Sequence, residues 1–318
     1  MSTQAGAWTG GGYTLTPEQN RVITERWERA AAARGGMDAM MKGIQQETRA
    51  QGGKLEGLEY SLKDVDSFRR KAATALKNKR TPVAKTAKSI NDLNRYTLTF
   101  ESDTYTQGVE QTYGRLREAG YEPTAEKNTW EDPVYKGINT TWQHTESGER
   151  FELQFHTPES FDAKMENHEL YELSRGNDLM KLAHENKPLA ASYQDAANSL
   201  QSERYKNVKV PPGQERIGER LVRDKLNPGV PKEHVELVRQ EETKLRAENL
   251  AKAQAKAEAK AQVERAALGL DGPGIGETQG LGNKLATKSP AEEPRQKTDV
   301  PRIDPVPTQS QSRGPVVR

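Results

Sequence analysis

Three polar side chains alternate with three apolar ones in FELQFHT, residues 151–157. Because successive side chains of a strand point to opposite faces, this pattern predicts a half-buried strand with Glu152, Gln154 and His156 on its polar face. A carboxylate on such a face can bind Mg²⁺ together with a nucleotide, or accept a proton from a sugar hydroxyl. A polar face in contact with solvent is the commoner occurrence in proteins, so the strand alone indicates a site only weakly.

Lys63, Ser67 and Lys71 form a second polar group, with spacing i, i+4 and i+8. This spacing places the three side chains on one stripe of a helix. Apolar residues with helical spacing predict that the opposite stripe is buried: Leu62, Val65, Phe68, Ala72 and Leu76. Two ammonium groups and a hydroxyl on one face suit a polyphosphate, because each can donate a hydrogen bond to a phosphate oxygen.

Basic residues continue beyond this helix. From residue 68 to residue 91 there are eight of them and no acidic residue: Arg69, Arg70, Lys71, Lys77, Lys79, Arg80, Lys85 and Lys88. A solvated basic surface is one interpretation of such a run. The whole chain has 48 basic and 46 acidic residues, a net charge of only +2, so this uncompensated segment favours an anionic ligand.

Aromatic and histidine side chains supply two further candidates. Tyr135 follows Pro133 in a turn-rich stretch that leads into a strand, where it can either stack on a nucleotide base or belong to the core. His168 and Tyr171 have the spacing i, i+3 on the helix after FELQFHT. A zinc site would need a third ligand and better spacing, so we do not predict one.

The composition limits the class of protein. Of the 318 residues 33% are hydrophobic and 30% charged, which predicts one domain of about 150 residues with weakly packed flanks. The absence of cysteine excludes disulfides and thiolate metal sites. The start of the chain lacks the basic and apolar regions of a secretory signal, and no run approaches about 18 apolar residues, so we expect a soluble protein.

Capping and turn residues divide the chain into elements. Residues 1–12 are expected to be disordered; Thr16 and Gln19 form a capping box that starts a helix, and Gly35 and Gly36 are expected to end it. Besides the helix of Lys71, the predicted helices cover 17–33, 37–50, 104–119, 160–174 and 232–268, with weaker helices up to 205. The predicted strands cover 95–100, 136–145 and 150–157, the last two joined as a hairpin. Central strands with flanking helices predict the α+β class.

Five segments of the sequence, in order, resemble motifs of the RelA/SpoT-type nucleotide pyrophosphokinases, the alarmone synthetases. They are LEYSLKDVDSFRRK from residue 58, INDLNRYTLTF from residue 90, VYKGINTT from residue 134, FELQFHT from residue 151 and HELY from residue 168. Together they span about 58–175, under half of the chain. The resemblance implies a mixed β-sheet of the nucleotidyltransferase type flanked by helices, with helical extensions at both ends and a disordered C-terminal tail.

The resemblance also sets expected domain boundaries. They are a helical N-terminal extension (1–53), the synthetase domain (54–206), a linker (207–231), a long polar helix (232–268) and a disordered tail (269–318). The tail has seven prolines from residue 271 onward and few large apolar residues, so we expect it to be dispensable for folding and catalysis.

The function that the resemblance implies is transfer of the β,γ-diphosphate of ATP to the 3′-hydroxyl of an acceptor nucleotide, with Mg²⁺ as cofactor. The implied ATP-binding residues are Lys63, Ser67, Lys71 and Arg95. The implied catalytic and Mg²⁺-binding residues are Asp92 and Glu152, with Glu152 as the base. The implied acceptor-binding residues are Tyr135, Asn139, Gln154, His156 and His168.

Departures from the family motifs leave the acceptor open. Ser61 stands where the ATP segment of the family begins with Arg, and Asp92 and Arg95 are closer together than in the family's D-x-x-G-x-R. Asn139 stands where the turn often has His, and His156 where the strand often has Arg. Guanine nucleotides (GDP or GTP), adenine nucleotides (ADP or ATP) and the 3′ end of tRNA all remain candidate acceptors.

The sequence has no adjacent His-Asp pair of the family's hydrolase domain. The resemblance therefore implies a small alarmone synthetase under tight control, or a growth-inhibiting toxin or effector with a neutralising protein partner. We expect action in the cytoplasm without a membrane partner, with any export using a route that needs no signal peptide. The alternatives are a tRNA 3′-end pyrophosphokinase and a non-catalytic nucleotide-binding scaffold.

Overall fold

A computed structural model describes residues 6–78, 81–175, 178–223 and 225–267. The described residues up to Lys260 form one compact unit. The predicted tail, 269–318, and two residues of the basic run, Lys79 and Arg80, lie outside the described residues. No helix in the described part of the chain is long and apolar enough to cross a membrane.

A six-stranded mixed sheet is the centre of this unit, with the strand order β3-β4-β7-β6-β5-β8. The strands are β3 (Lys54–Glu56), β4 (Asn94–Thr99), β5 (Tyr121–Asn128), β6 (Ile138–His144), β7 (Arg150–His156) and β8 (Glu219–Arg220). The pairs β4–β7 and β5–β8 are parallel, and the other pairs are antiparallel. The predicted hairpin of β6 and β7 and the α+β class are confirmed.

Nine helices are present in the described ranges. They are α1 (Pro17–Glu47), α2 (Val65–Asn78), α3 (Val83–Ser89), α4 (Tyr105–Glu118), α5 (Pro158–Glu166), α6 (His168–Arg175), α7 (Asp178–Leu182), α8 (Lys187–Tyr205) and α9 (Lys232–Ala267). The predicted helix over 160–174 is two helices separated at Asn167, and the basic segment beyond α2 forms the short helix α3. The long C-terminal helix is confirmed as far as Ala267.

One face of the sheet is apolar and covered by helices. Phe151, Leu153 and Phe155 of β7 are fully buried there against α1 and α4. The apolar residues of the two helices are Met37, Met41, Ile44, Tyr105, Val109, Tyr113 and Leu116. The period-two alternation of FELQFHT therefore predicted the correct faces, and the other face of β7 carries its polar side chains.

The N-terminal segment differs from its prediction. Residues Trp8–Gly10 (β1) and Tyr13–Leu15 (β2) form a hairpin, so the expected disorder is wrong from Trp8 onward. Gly11 and Gly12 make the two-residue turn with φ of +58° and +78°, values that glycine adopts without steric cost. The Trp8 indole donates to Asp66 Oδ1 at 3.0 Å, which ties the hairpin to α2.

The capping box at Thr16 and Gln19 is confirmed, but α1 continues through Gly35 and Gly36 to Glu47. The predicted break is wrong because residues beyond the glycines, among them Met41 and Ile44, are buried against the sheet. Their burial outweighs the helical cost of about 1 kcal/mol for each glycine.

Three strands of the sheet, β3, β5 and β8, were not predicted from the sequence, and β3 has only three residues. Strand β5 has Pro123 and several charged residues, which obscure its alternation. The predicted linker, 207–231, contributes β8, and Ile217 of this segment is buried in the core. The Asn128 amide donates to Gln214 Oε1 at 2.7 Å, so the linker prediction is wrong for this part of the segment.

Candidate active site

The polar face of the sheet carries one continuous row of side chains across six strands. Backbone register aligns Glu56, Thr97, Gln154, Asn139, Lys127 and Glu219. In the neighbouring row Arg95 of β4 and Thr141 of β6 flank Glu152. Arg95 is exposed on this face and Glu152 is half-buried, so a ligand can reach both.

Asp92 lies beside this face but not on a strand. Strand β4 begins at Asn94, and the residue that pairs with Glu152 is Arg95. The prediction that Asp92 shares a strand face with Glu152 is therefore wrong in its geometry. Asp92 instead reaches the site from the loop that precedes β4.

Lys63 also reaches the site from an extended segment, because α2 starts only at Val65. The Lys63 N–H donates to Leu93 O, and the Arg95 N–H donates to Ser61 O, each at 2.8 Å. These two bonds align the segment before α2 with the start of β4. The predicted single helical stripe is wrong for Lys63, whereas Ser67 and Lys71 do lie one turn apart on α2.

A shared carboxylate brings the two lysines together. Lys71 Nζ lies 2.7 Å from Asp92 Oδ1, and Lys63 Nζ lies 3.2 Å from Asp92 Oδ2. Burial alone would raise the pKa of Asp92, but the two ammonium groups more than offset it and hold that pKa below its usual value. Burial is the main cause that lowers the pKa of Lys63, and the positive charges of Lys71 and Arg95 lower it further.

Ser61 is fully buried away from this cluster. Its hydroxyl donates to Asp38 Oδ1 at 3.0 Å and accepts from Arg34 Nε at 2.9 Å. The residue that replaces the family's Arg therefore has a structural role beneath α1. The ion pairs of Asp92 in the described residues are with Lys63 and Lys71.

Glu152 belongs to a short chain of polar groups that ends on α5. The Gln154 amide donates to Glu152 Oε1, and Lys164 Nζ donates to Gln154 Oε1 at 2.5 Å. Burial lowers the pKa of Lys164 to about 8, with a further contribution from Arg95 and an opposing one from Glu152. The positive charge of Arg95 therefore lowers the pKa of both Lys63 and Lys164.

Sequence reasoning missed Lys164, although a signal for it exists. Thr157 caps α5 immediately after β7, so the first turns of this helix must lie close to the polar face. Ser160 and Lys164 have the spacing i, i+4 and share one stripe of α5. Both contact polar residues of β7, His156 and Gln154.

His156 is fully buried and fixes Tyr135. The Ser160 hydroxyl donates to Lys136 O at 2.5 Å, so it accepts from His156 Nδ1 at 2.7 Å. His156 Nε2 also lies 3.0 Å from the Tyr135 hydroxyl. Burial holds the pKa of His156 well below its usual value, which keeps the ring neutral. His156 therefore supports Tyr135, and its ring is fully buried rather than exposed on the polar face.

The remaining acceptor candidates separate into two groups. Tyr135 is half-buried rather than exposed, and its hydroxyl also lies 2.9 Å from Asn139 Oδ1. Asn139 pairs with Gln154 in the central row, so these three residues are neighbours. His168 is exposed at the start of α6 and forms no hydrogen bond or ion pair with the other predicted site residues in the described ranges.

Lys164→Met is expected to raise the melting temperature at neutral pH by roughly 2–4 °C. The folded-state pKa of about 8 lies below the ordinary value of 10.5, so burying the protonated amine costs free energy at every pH below 8. That cost declines as the pH rises from 8 to 10.5, so the advantage of the variant should shrink over this range. Thermal melts at neutral and alkaline pH measure both effects. A variant that is less stable than wild type at neutral pH would contradict the assigned cost.

Comparison with protein-family models gives no match, and comparison with curated proteins gives none. Comparison with solved structures finds small alarmone synthetase 1 from Bacillus subtilis, with 17% identity over 57% of this chain and 95% of that chain and a TM-score of 0.36. A GTP pyrophosphokinase family protein from Streptococcus pneumoniae has 13% identity over 57% of this chain and 96% of that chain, with a TM-score of 0.37.

A second structure of the B. subtilis synthetase, bound to its product pppGpp, has 14% identity over 57% of this chain and 96% of that chain. Its TM-score is 0.36. The chain is similar to these proteins in fold.

Proposed function

We propose that the chain is a nucleotide pyrophosphokinase, which transfers the β,γ-diphosphate of ATP to the 3′-hydroxyl of an acceptor nucleotide. The observation that carries this proposal is a group of four cations around two carboxylates, at the end of the polar face where β4 begins and beside the middle of β7. The cations are Lys63, Lys71, Arg95 and Lys164, and the carboxylates are Asp92 and Glu152.

The excess of positive charge suits a polyphosphate. Lys63 and Lys71 share a single carboxylate, so each has donors that a phosphate oxygen can take. Arg95 is exposed next to them and can bind phosphate with its planar fork of donors. The triphosphate of ATP is therefore assigned to these three side chains, with Ser67 one turn before Lys71 on α2.

The donor set also fits Mg²⁺. A Mg²⁺ that arrives with a nucleotide takes one or two carboxylates and fills its other positions with phosphate oxygens and water. Asp92 and Glu152 would hold it, because phosphate oxygens can replace the carboxylate as partner of Lys63 and Lys71 and so free Asp92. When bound, the ion would neutralise charge on the transferred diphosphate.

In the proposed reaction Glu152 accepts the proton of the attacking hydroxyl. One of its oxygens accepts from the Gln154 amide, which fixes the carboxylate and leaves the second oxygen for a substrate. The 3′-oxygen of the acceptor attacks the β-phosphorus, the bond from that phosphorus to the α,β-bridging oxygen breaks, and AMP leaves. The proton of the hydroxyl passes to Glu152. Arg95 beside Glu152 stabilises the charge that develops on phosphate.

The acceptor is assigned to the side of the face that carries Tyr135 and Asn139. The buried His156 fixes the Tyr135 hydroxyl, so the ring is held in one orientation before a base stacks on it. The amide of Asn139 is available in the same row for a sugar or base contact. A screen of guanine and adenine nucleotides as acceptors decides which nucleobase binds there.

Gly137→Ala is expected to raise the KM for the acceptor by about tenfold while changing the KM for ATP less than twofold. A Cβ at Gly137 would lie 2.6 Å from His156 Cε1, so the ring must move and the Tyr135 hydroxyl loses one of its two partners, while Asn139 remains. Steady-state kinetics with each substrate varied in turn measures the two constants. Equal changes in both would contradict the role of His156 as a support for Tyr135 alone.

An acceptor screen tests the proposed function. The protein is incubated with ATP, Mg²⁺ and GDP, GTP, ADP or uncharged tRNA in separate reactions, and AMP is quantified by anion-exchange chromatography. We expect acceptor-dependent AMP with at least one mononucleotide and none after chelation of Mg²⁺. AMP formed only with tRNA would indicate a tRNA 3′-end pyrophosphokinase. No AMP with any acceptor would indicate a non-catalytic nucleotide-binding scaffold.

A growth-inhibiting role follows from the same activity, because an unrestrained pyrophosphokinase consumes ATP. Induced expression in bacteria should arrest growth, and expression of Glu152→Gln at the same level should not. If both proteins arrest growth equally, the toxicity does not come from the proposed reaction. If only the wild-type protein arrests growth, the next step is a search for a protein partner that neutralises it.

A further inference from the structure

Lys164 is a largely buried cation with donors that the protein does not use. An ammonium group has three N–H donors, and the Gln154 carbonyl takes one of them. The ring of Phe161 lies 5.2 Å from Nζ, and no carboxylate in the described ranges forms an ion pair with it. Removing an ammonium from water without a carboxylate partner costs free energy, so a lysine in this position indicates an anionic ligand.

Lys164 does not belong to the ion-pair group of Lys63, Lys71 and Asp92, and its hydrogen bond is to a residue of the acceptor side. Lys63 and Lys71 lie at the start of β4, where they share Asp92. Lys164 instead contacts Gln154, whose neighbour in the row is Asn139, and Asn139 contacts the Tyr135 hydroxyl. An anion bound at Lys164 would therefore lie on the acceptor side of the face.

A single amide group bridges the Glu152 carboxylate and the Lys164 amine. The Gln154 nitrogen donates to Glu152 Oε1, and the Gln154 oxygen accepts from Lys164 Nζ. The two groups are therefore close enough to contact one nucleotide. With the 3′-hydroxyl at Glu152, the 5′-phosphate of the same nucleotide reaches the amine beyond Gln154.

We propose that Lys164 forms an anion subsite for the 5′-phosphates of the acceptor nucleotide, an inference that rests on the pyrophosphokinase function proposed above. The subsite selects nucleoside di- or triphosphates over nucleosides as acceptors. Gln154 holds the amine on the polar face through its carbonyl and holds Glu152 through its amide. The Gln154 side chain thus links the binding of the acceptor phosphates to the orientation of the Glu152 carboxylate.

Binding measurements without turnover test the subsite. The ATP analogue AMPCPP is titrated first, and GDP or ADP is then titrated into the protein saturated with AMPCPP, by calorimetry. Wild type is compared with Lys164→Gln, Lys164→Arg and a control, Lys206→Ala, which removes an exposed lysine at the end of α8. We expect Lys164→Gln to lose about tenfold or more in affinity for the diphosphate and less than twofold for AMPCPP.

The charge-conserving variant distinguishes binding from structural support. Lys164→Arg should recover most of the lost affinity, and Lys206→Ala should resemble wild type. The subsite is overturned if Lys164→Gln binds GDP and ADP as wild type does, if it loses AMPCPP affinity instead, or if Lys164→Arg is as weak as Lys164→Gln. Failure of wild type to bind AMPCPP would contradict the proposed function itself, which separates the two failures.

Discussion

Glu152→Gln is expected to lower kcat by about a thousandfold or more and to leave the fold intact. The substitution keeps the shape of the side chain and removes its charge and its basicity. The carbonyl oxygen of the new residue can still accept from the Gln154 amide, and the backbone pairing of β7 does not involve the side chain. Initial rates of AMP formation at saturating substrates measure the loss, and circular dichroism checks the fold.

Glu146→Gln is the matched control for this experiment. Glu146 is exposed in the turn between β6 and β7, so the same chemical change occurs on the same hairpin away from the polar face. The control should retain wild-type activity. Near-wild-type activity in Glu152→Gln would remove both the base and the Mg²⁺ assignment.

Lys63→Ala and Lys71→Ala are each expected to lower kcat/KM by about thirtyfold, equivalent to about 2 kcal/mol of transition-state stabilisation. Lys63 should be the more sensitive, because its side chain is 20% exposed against 34% for Lys71. Its backbone is also fixed by a 2.8 Å hydrogen bond to Leu93 O. A preorganised amine loses little entropy when phosphate binds.

The double variant Lys85→Ala/Lys88→Ala is the control for total charge. Both lysines are exposed on α3. They should therefore raise the association rate of an anionic ligand without forming fixed contacts with it. Their removal should cost less than either single substitution at physiological salt and should mainly change the salt dependence of kcat/KM. If the Lys85→Ala/Lys88→Ala variant loses more kcat/KM than Lys63→Ala and Lys71→Ala do, the triphosphate is not held by Lys63 and Lys71.

Local patterns predicted the elements whose signals are short-range. The strict alternation of FELQFHT, with a turn before it and Pro158 after it, was enough to place β7 in a hairpin with the correct face buried. The capping box at Thr16 and Gln19 likewise fixed the start of α1. In both cases the deciding interactions lie within a few residues of one another.

Tertiary contacts decided the elements that the sequence did not predict. Gly35 and Gly36 lie inside α1 because residues beyond them pack on the sheet. Lys63 has helical spacing with Lys71, yet backbone bonds to the start of β4 keep it extended. Lys164 is a site residue because α5 packs against β7 and brings its amine to Gln154. No local sequence pattern distinguishes such a lysine from one in solvent.

The fate of each phosphate of ATP tests the central claim most directly. Two reactions contain the protein, Mg²⁺ and the acceptor identified by the screen, one with ATP labelled at the γ-phosphate and the other with ATP labelled at the α-phosphate. We expect the γ label to move to the acceptor and the α label to appear in AMP, in equal amounts. Labelled ADP, or free phosphate carrying the γ label without labelled acceptor, would show a kinase or a hydrolase and contradict diphosphate transfer.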